Sequence, residues 1–89
     1  MSWSIEYSKD ADKFLIKNPQ IQKTLIAEIK KFIRKLNGET VNINFKKLHG
    51  EWSGYYRIRK GDVRIIFTII NDTSRIIIFS IDFRGNVYK

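Results

Sequence analysis

The chain has 89 residues, 43% hydrophobic and 13% aromatic, which suits one packed domain, leaves too little for two and argues against disorder. It has no cysteine, which excludes disulfides and thiolate metal sites. No apolar run approaches the roughly 18 residues of a spanning helix. Seventeen Lys and Arg against nine Asp and Glu give a net charge of +8, which points to a polyanionic partner.

The opening "MSWSIEYSKD" lacks the basic and apolar regions of a secretory leader, so a cytoplasmic protein with no membrane partner is expected. Its "WSIEY" (3–7) alternates and reads as a first strand. Ser8 is placed to cap a helix over "KDADKFLIK", with Ala11, Phe14 and Leu15 on one face. Asn18-Pro19 is expected to end that helix and begin the next, Asn18 as cap and Pro19 at the first helical position. The second helix carries an apolar stripe of Ile21, Leu25, Ile29, Phe32 or Ile33, and Leu36, and Asn37-Gly38 closes it.

A linking stretch follows, with a short extended piece around Val41 to Leu48. "YYRIR" (55–59), "DVRIIFTII" (62–70) and "RIIIFSIDF" (75–83) then read as antiparallel strands. The order β-α-α-β-β-β predicts an α+β domain over residues 1–89, a helix hairpin packed on one face of a mostly antiparallel sheet.

The charge is not spread evenly. Residues 1–45 carry eight basic and five acidic groups and residues 46–89 nine and four, and every arginine except Arg34 falls in the second part. The planar guanidinium favours bidentate contact with phosphate. With Lys60-Gly61 as a two-residue turn, Arg57 pairs with Arg64, and Arg59 with Asp62. Tyr56, Ile58, Val63, Ile65 and Phe67 then share the core face, and Tyr55, Arg57, Arg59 and Arg64 the other. Opposed like charges cost on the order of 0.2–1 kcal/mol, which a bound phosphate would relieve. A plain solvated hairpin face accounts for the same pattern.

"KKLHG", "GYYRIRKGDVRIIFTI" and "IDFRGNVY" together resemble the RelE/ParE toxin superfamily of toxin–antitoxin systems, and the likeness runs over the whole chain. The resemblance implies a RelE-like toxin domain, partnered by an antitoxin in a complex such as a heterotetramer, and inhibiting translation. On the RelE-like branch the activity is ribosome-dependent cleavage of mRNA by an endoribonuclease without cofactor or metal, in which the 2′-hydroxyl attacks the neighbouring phosphate. On the ParE-like branch the same fold inhibits DNA gyrase. An inactive RNA-binding relative is the third alternative.

Carried over by motif, Arg57, Arg59, Arg64, Arg84 and Tyr88 are the expected catalytic residues, and Lys46, Lys47 and Tyr55 the expected RNA contacts. Arg57, Arg64 and Arg84 act in this reading as phosphate clamps, and Tyr88 stacks on or orients a nucleotide. Arginine stays protonated, so Arg57 and Arg59 are poor general bases. The histidine that often precedes the C-terminal arginine in relatives is Phe83 here, and Asp82 beside it is placed to pair with an arginine. The lone histidine, His49, is read as solvated or structural, and Trp52 as either rim packing or a base-stacking ring.

Overall fold

The computed structural model describes residues 3–83. Five strands form one sheet: β1 (Ser4–Tyr7), β2 (Phe45–Lys47), β3 (Tyr55–Lys60), β4 (Val63–Ile70) and β5 (Arg75–Phe83), in the spatial order β1-β5-β4-β3-β2. Helices α1 (Lys9–Lys17) and α2 (Ile21–Leu36) follow β1 and cover one face. All neighbours run antiparallel except β1, which lies parallel to β5. The α+β architecture is the one the hydrophobic periods predict.

Local chemistry sets most boundaries. Ser8 accepts a bond from the Ala11 amide at 3.1 Å and caps α1. At the end of α2, Gly38 takes φ +91°, its amide reaches the Lys35 carbonyl, and the Glu39 amide reaches that of Arg34. This paired closure is a Schellman motif, and it needs a residue that tolerates positive φ.

Asn18 departs from expectation. Its side-chain amide donates to the Phe14 carbonyl at 3.0 Å, so it closes α1, while α2 begins at Ile21 behind Gln20 with no side-chain cap. The Phe14 carbonyl thus accepts twice from Asn18, from the backbone amide at 2.9 Å and from the side-chain amide at 3.0 Å.

The core lies between the helices and the inner face of the sheet. Ala11, Leu15, Ile21, Leu25, Ile29 and Phe32 meet Ile58, Val63, Ile65, Phe67, Ile76, Ile78 and Ile81. Phe32 sits at its centre, its ring edge-on to Phe45, Tyr56 and Phe67 at 4.9 to 5.3 Å. Leu36 falls off the end of the stripe and is exposed. Glu28 does the reverse: it is buried within α2, its carboxylate 3.3 Å from Lys31. A carboxylate at that depth requires such a cation.

The β3–β4 hairpin corrects the expected register. The two turn residues are Gly61 and Asp62, Lys60 pairs with Val63, and Arg59, not Arg57, lies opposite Arg64. Gly61 has φ +57° at the first turn position, where a type II′ hairpin places glycine. Moving the pairing by two residues leaves every side chain on its expected face, because the pleat repeats every second residue.

Candidate nucleic-acid interface

The face of the sheet turned away from the helices carries the arginines. Across it, Lys46 on β2 pairs with Arg57 on β3, which pairs with Ile66 on β4. One step nearer the turn, Arg59 pairs with Arg64, and Arg64 with Asp82 on β5. Beside them the Arg59 amide donates to the Asn44 carbonyl at 3.0 Å, which extends the pairing past β2. Four cations and one carboxylate therefore share two adjoining rows, leaving three positive charges in excess (four less one).

Asp82 reaches this face through a bulge. Between Ile66 and Phe67 the β4–β5 register shifts, so Ile66 faces Ser80 while Phe67 faces Ile78, and Phe79 is the extra residue. Without it Asp82 would share the face of Ile76 and Ile78, which are fully buried. With it, Arg64 Nε and Nη2 donate to Asp82 Oδ1 and Oδ2, both at 3.3 Å. Charge-assisted bonds of this kind optimise near 2.7–2.9 Å. Both distances lie beyond that range. Asp82 thus pairs with an arginine as expected, whereas Asp62 lies in the exposed turn and not opposite Arg59.

Arg59 stands differently. Its Nε is buried and has no hydrogen-bond partner among the described residues, while Arg64 faces it directly across the strands. Opposed like charges on paired strands cost on the order of 0.2–1 kcal/mol. An anion between the two guanidiniums would relieve that repulsion.

The other expected contacts divide. Lys46 joins the cationic rows, but Lys47 pairs with Tyr56 and so lies on the opposite face, exposed at the edge. Tyr55 lies on the arginine face, one pleat beyond Arg57, next to Trp52 and Phe79. His49 is exposed and precedes the single helical turn Gly50–Trp52. The Phe83 ring packs 5.2 Å from Phe14, which commits the position to the core side. Arg84 and Tyr88 lie outside the described residues. Among the described residues no three His, Asp or Glu side chains gather to hold a metal ion, and no helix is long and apolar enough to cross a membrane.

Sequence reasoning passed over Phe79 and Glu28. Phe79 left a trace: apolar residues fall on even positions at Ile76 and Ile78 and on odd ones at Ile81 and Phe83, a change of phase that a bulge produces. Glu28 left none, since nothing in its neighbourhood sets it apart from a solvated helix residue.

No protein-family model and no curated protein sequence matches the chain. Solved structures do. The chain is similar to one in the toxin–antitoxin complex RelBE2 from Mycobacterium tuberculosis, with TM-score 0.68 and 19% identity over 94% of this chain and 100% of that one. A chain of the RelE–RelB complex from Pyrococcus horikoshii gives TM-score 0.65 and 24% identity over 96% and 98%. One of the RelB–RelE antitoxin–toxin complex from Methanococcus jannaschii gives 0.64 and 28% over 94% and 95%. The chain has the RelE-like toxin fold, spanned almost from end to end, as the motifs at 46–50, 54–69 and 81–88 implied.

Proposed function

We propose that this chain is the toxin of a toxin–antitoxin pair and a ribosome-dependent endoribonuclease that cuts mRNA. The observation that carries the reading is the gathering of Lys46, Arg57, Arg59 and Arg64 on the uncovered face of a sheet whose fold matches such toxins. In the proposed reaction the RNA 2′-oxygen forms a bond to the adjacent phosphorus as the bond from phosphorus to the 5′-oxygen breaks. The 2′-hydroxyl proton leaves to a base, and a proton is delivered to the departing 5′-oxygen. The cations hold the phosphoryl oxygens as negative charge builds, and fixed charges need no reorganisation at that moment. Arg59 and Arg64 grip the phosphate from opposing strands, Arg57 and Lys46 bind the neighbouring backbone, and Arg84 and Tyr88 complete the set. The partner is an antitoxin, as in the complexes of the similar chains. An acidic segment on that partner would complement the net charge of +8.

Cell-free translation tests this. Purified protein should cut mRNA only when ribosomes are engaged on it, and Arg64→Ala should lower cleavage by about 10²–10³, the usual loss for one transition-state donor. Intact mRNA at all protein concentrations would overturn the reading. One observation favours a second reading, inhibition of DNA gyrase on the same fold: Phe83, packed on Phe14, stands where nuclease relatives often carry histidine. Loss of gyrase supercoiling with mRNA left whole would select it.

A further inference from the structure

Trp52, Tyr55 and Phe79 form a cluster of three rings on the arginine face. Their centroids lie 5.3 to 5.7 Å apart and their planes meet at 72° to 88°. Three different features of the fold put them there. Tyr55 begins β3 on the outer side of the pleat. Trp52 closes the helical turn before it, in a loop held to β4 by the bond from Thr68 Oγ1 to the Gly54 carbonyl at 2.8 Å. Phe79 is the bulged residue of β5, and the bulge is pinned from behind: the Ser8 amide donates to the Ile78 carbonyl and the Ser8 hydroxyl to that of Phe79.

We propose that these rings are a stacking platform for an unpaired base of single-stranded RNA whose backbone runs over Lys46 and Arg57. This deepens the function proposed above and rests on it. Of the four large hydrophobic side chains exposed among the described residues, two are Trp52 and Phe79, 39% and 42% exposed; the others, Ile16 and Leu36, lie on the helices. Because the three planes are nearly perpendicular, no direction of approach is edge-on to all of them. Tyr55 and Arg57 are two residues apart on one strand, about 7 Å, so a base on the rings leaves its phosphate within reach of Arg57 and of Lys46 opposite. Base-on-ring stacking flanked by cations is how single strands are commonly held.

An acidic protein segment is a poorer fit. Three rings offer far less than the ~800 Å² each partner of a stable protein interface buries, and a mostly apolar cavity lies elsewhere, along Pro19, Ile26 and Ala27.

The test uses the full chain with Trp3→Phe, which leaves Trp52 as its single tryptophan. Two probes are titrated, a short oligouridylate and an abasic oligomer with the same number of phosphates. The expected result is quenching of Trp52 by the first, with about tenfold or greater preference over the second. Phe79→Ala should abolish most of that preference and Phe79→Tyr keep it. Equal binding of both oligomers, an unchanged preference in Phe79→Ala, or a Trp52 response confined to an acidic protein partner would each overturn the platform. Base-dependent binding without cleavage of translated mRNA removes the nuclease reading and upholds the platform. Full cleavage with base-independent binding removes the platform alone.

Discussion

The two faces of the sheet are made from alternate residues of the same strands, and they solve opposite problems. The inner face carries Ile58, Val63, Ile65 and Phe67 and is sealed by α1 and α2. The outer face carries Arg57, Arg59 and Arg64 from the same two strands, and among the described residues no helix covers it. Burial of apolar surface stabilises the first. The second sets Arg59 directly opposite Arg64, two like charges that a bound anion would reconcile in the proposed function. Stability and the proposed activity therefore sit back to back, a pleat apart, and substitutions on one face should move one property with little effect on the other.

The largest effect should come from the inner face. Phe32→Ala removes the ring on which Phe45, Tyr56 and Phe67 converge, and a loss of about 3–5 kcal/mol is expected. Against a total of roughly 5–15 kcal/mol for a domain, chemical denaturation should show the midpoint collapse. A variant unfolding like the parent would break the contrast between the faces. Arg64→Ala, on the outer face, should give the reverse pattern: the loss of cleavage stated above with a small change in thermal midpoint, since the Asp82 side chain is 37% exposed even with Arg64 in place.

A smaller effect sharpens the comparison where a charge sits on the core side. Lys31→Met leaves the buried Glu28 carboxylate without the cation at 3.3 Å, and about 1–3 kcal/mol of stability should go. The double variant Glu28→Met, Lys31→Met should recover most of it, because an apolar pair of similar volume replaces a buried ion pair at little cost. If the double variant is as unstable as the single one, the carboxylate has a role beyond the pair. The smallest effect is a gain. Arg59→Thr should raise stability by about 0.2–1 kcal/mol by removing the charge opposed to Arg64, and the gain should shrink as salt is added and the repulsion is screened. A stability unchanged at low salt would mean that the two guanidiniums do not repel in the resting protein.

How far the sequence reaches differs between these faces. The core face was legible because each element repeats its apolar residues at its own period, and even the misjudged hairpin turn, Gly61-Asp62 in place of Lys60-Gly61, preserved the faces. The arginine face was legible as a list of residues but not as a set of pairs. Which arginine opposes Arg64 depends on the turn, and a two-residue change replaces Arg57 by Arg59. Lys46 and Lys47 look equivalent as neighbours in the chain, yet alternation sends them to opposite faces. Asn18 was expected to end one helix and cap the next; it ends α1 through two amide donors on the Phe14 carbonyl and gives α2 no side-chain cap.

By itself, the sequence determined the α+β class, the two helices, the strands from Tyr55 to Phe83, the helix-facing residues and the cationic character of the other side. These follow from short-range periodicity and composition, which every residue reports locally. Only the tertiary structure decided that β1 lies parallel to β5, that a bulge turns Phe79 outward and brings Asp82 to Arg64, and that Glu28 is buried. Each depends on how distant segments meet: the Ser8 cap grips the β5 backbone 71 residues away in sequence. Periodicity marks at most the change of phase around Phe79; which segments pair is fixed by competition among contacts that exist only once the sheet has closed.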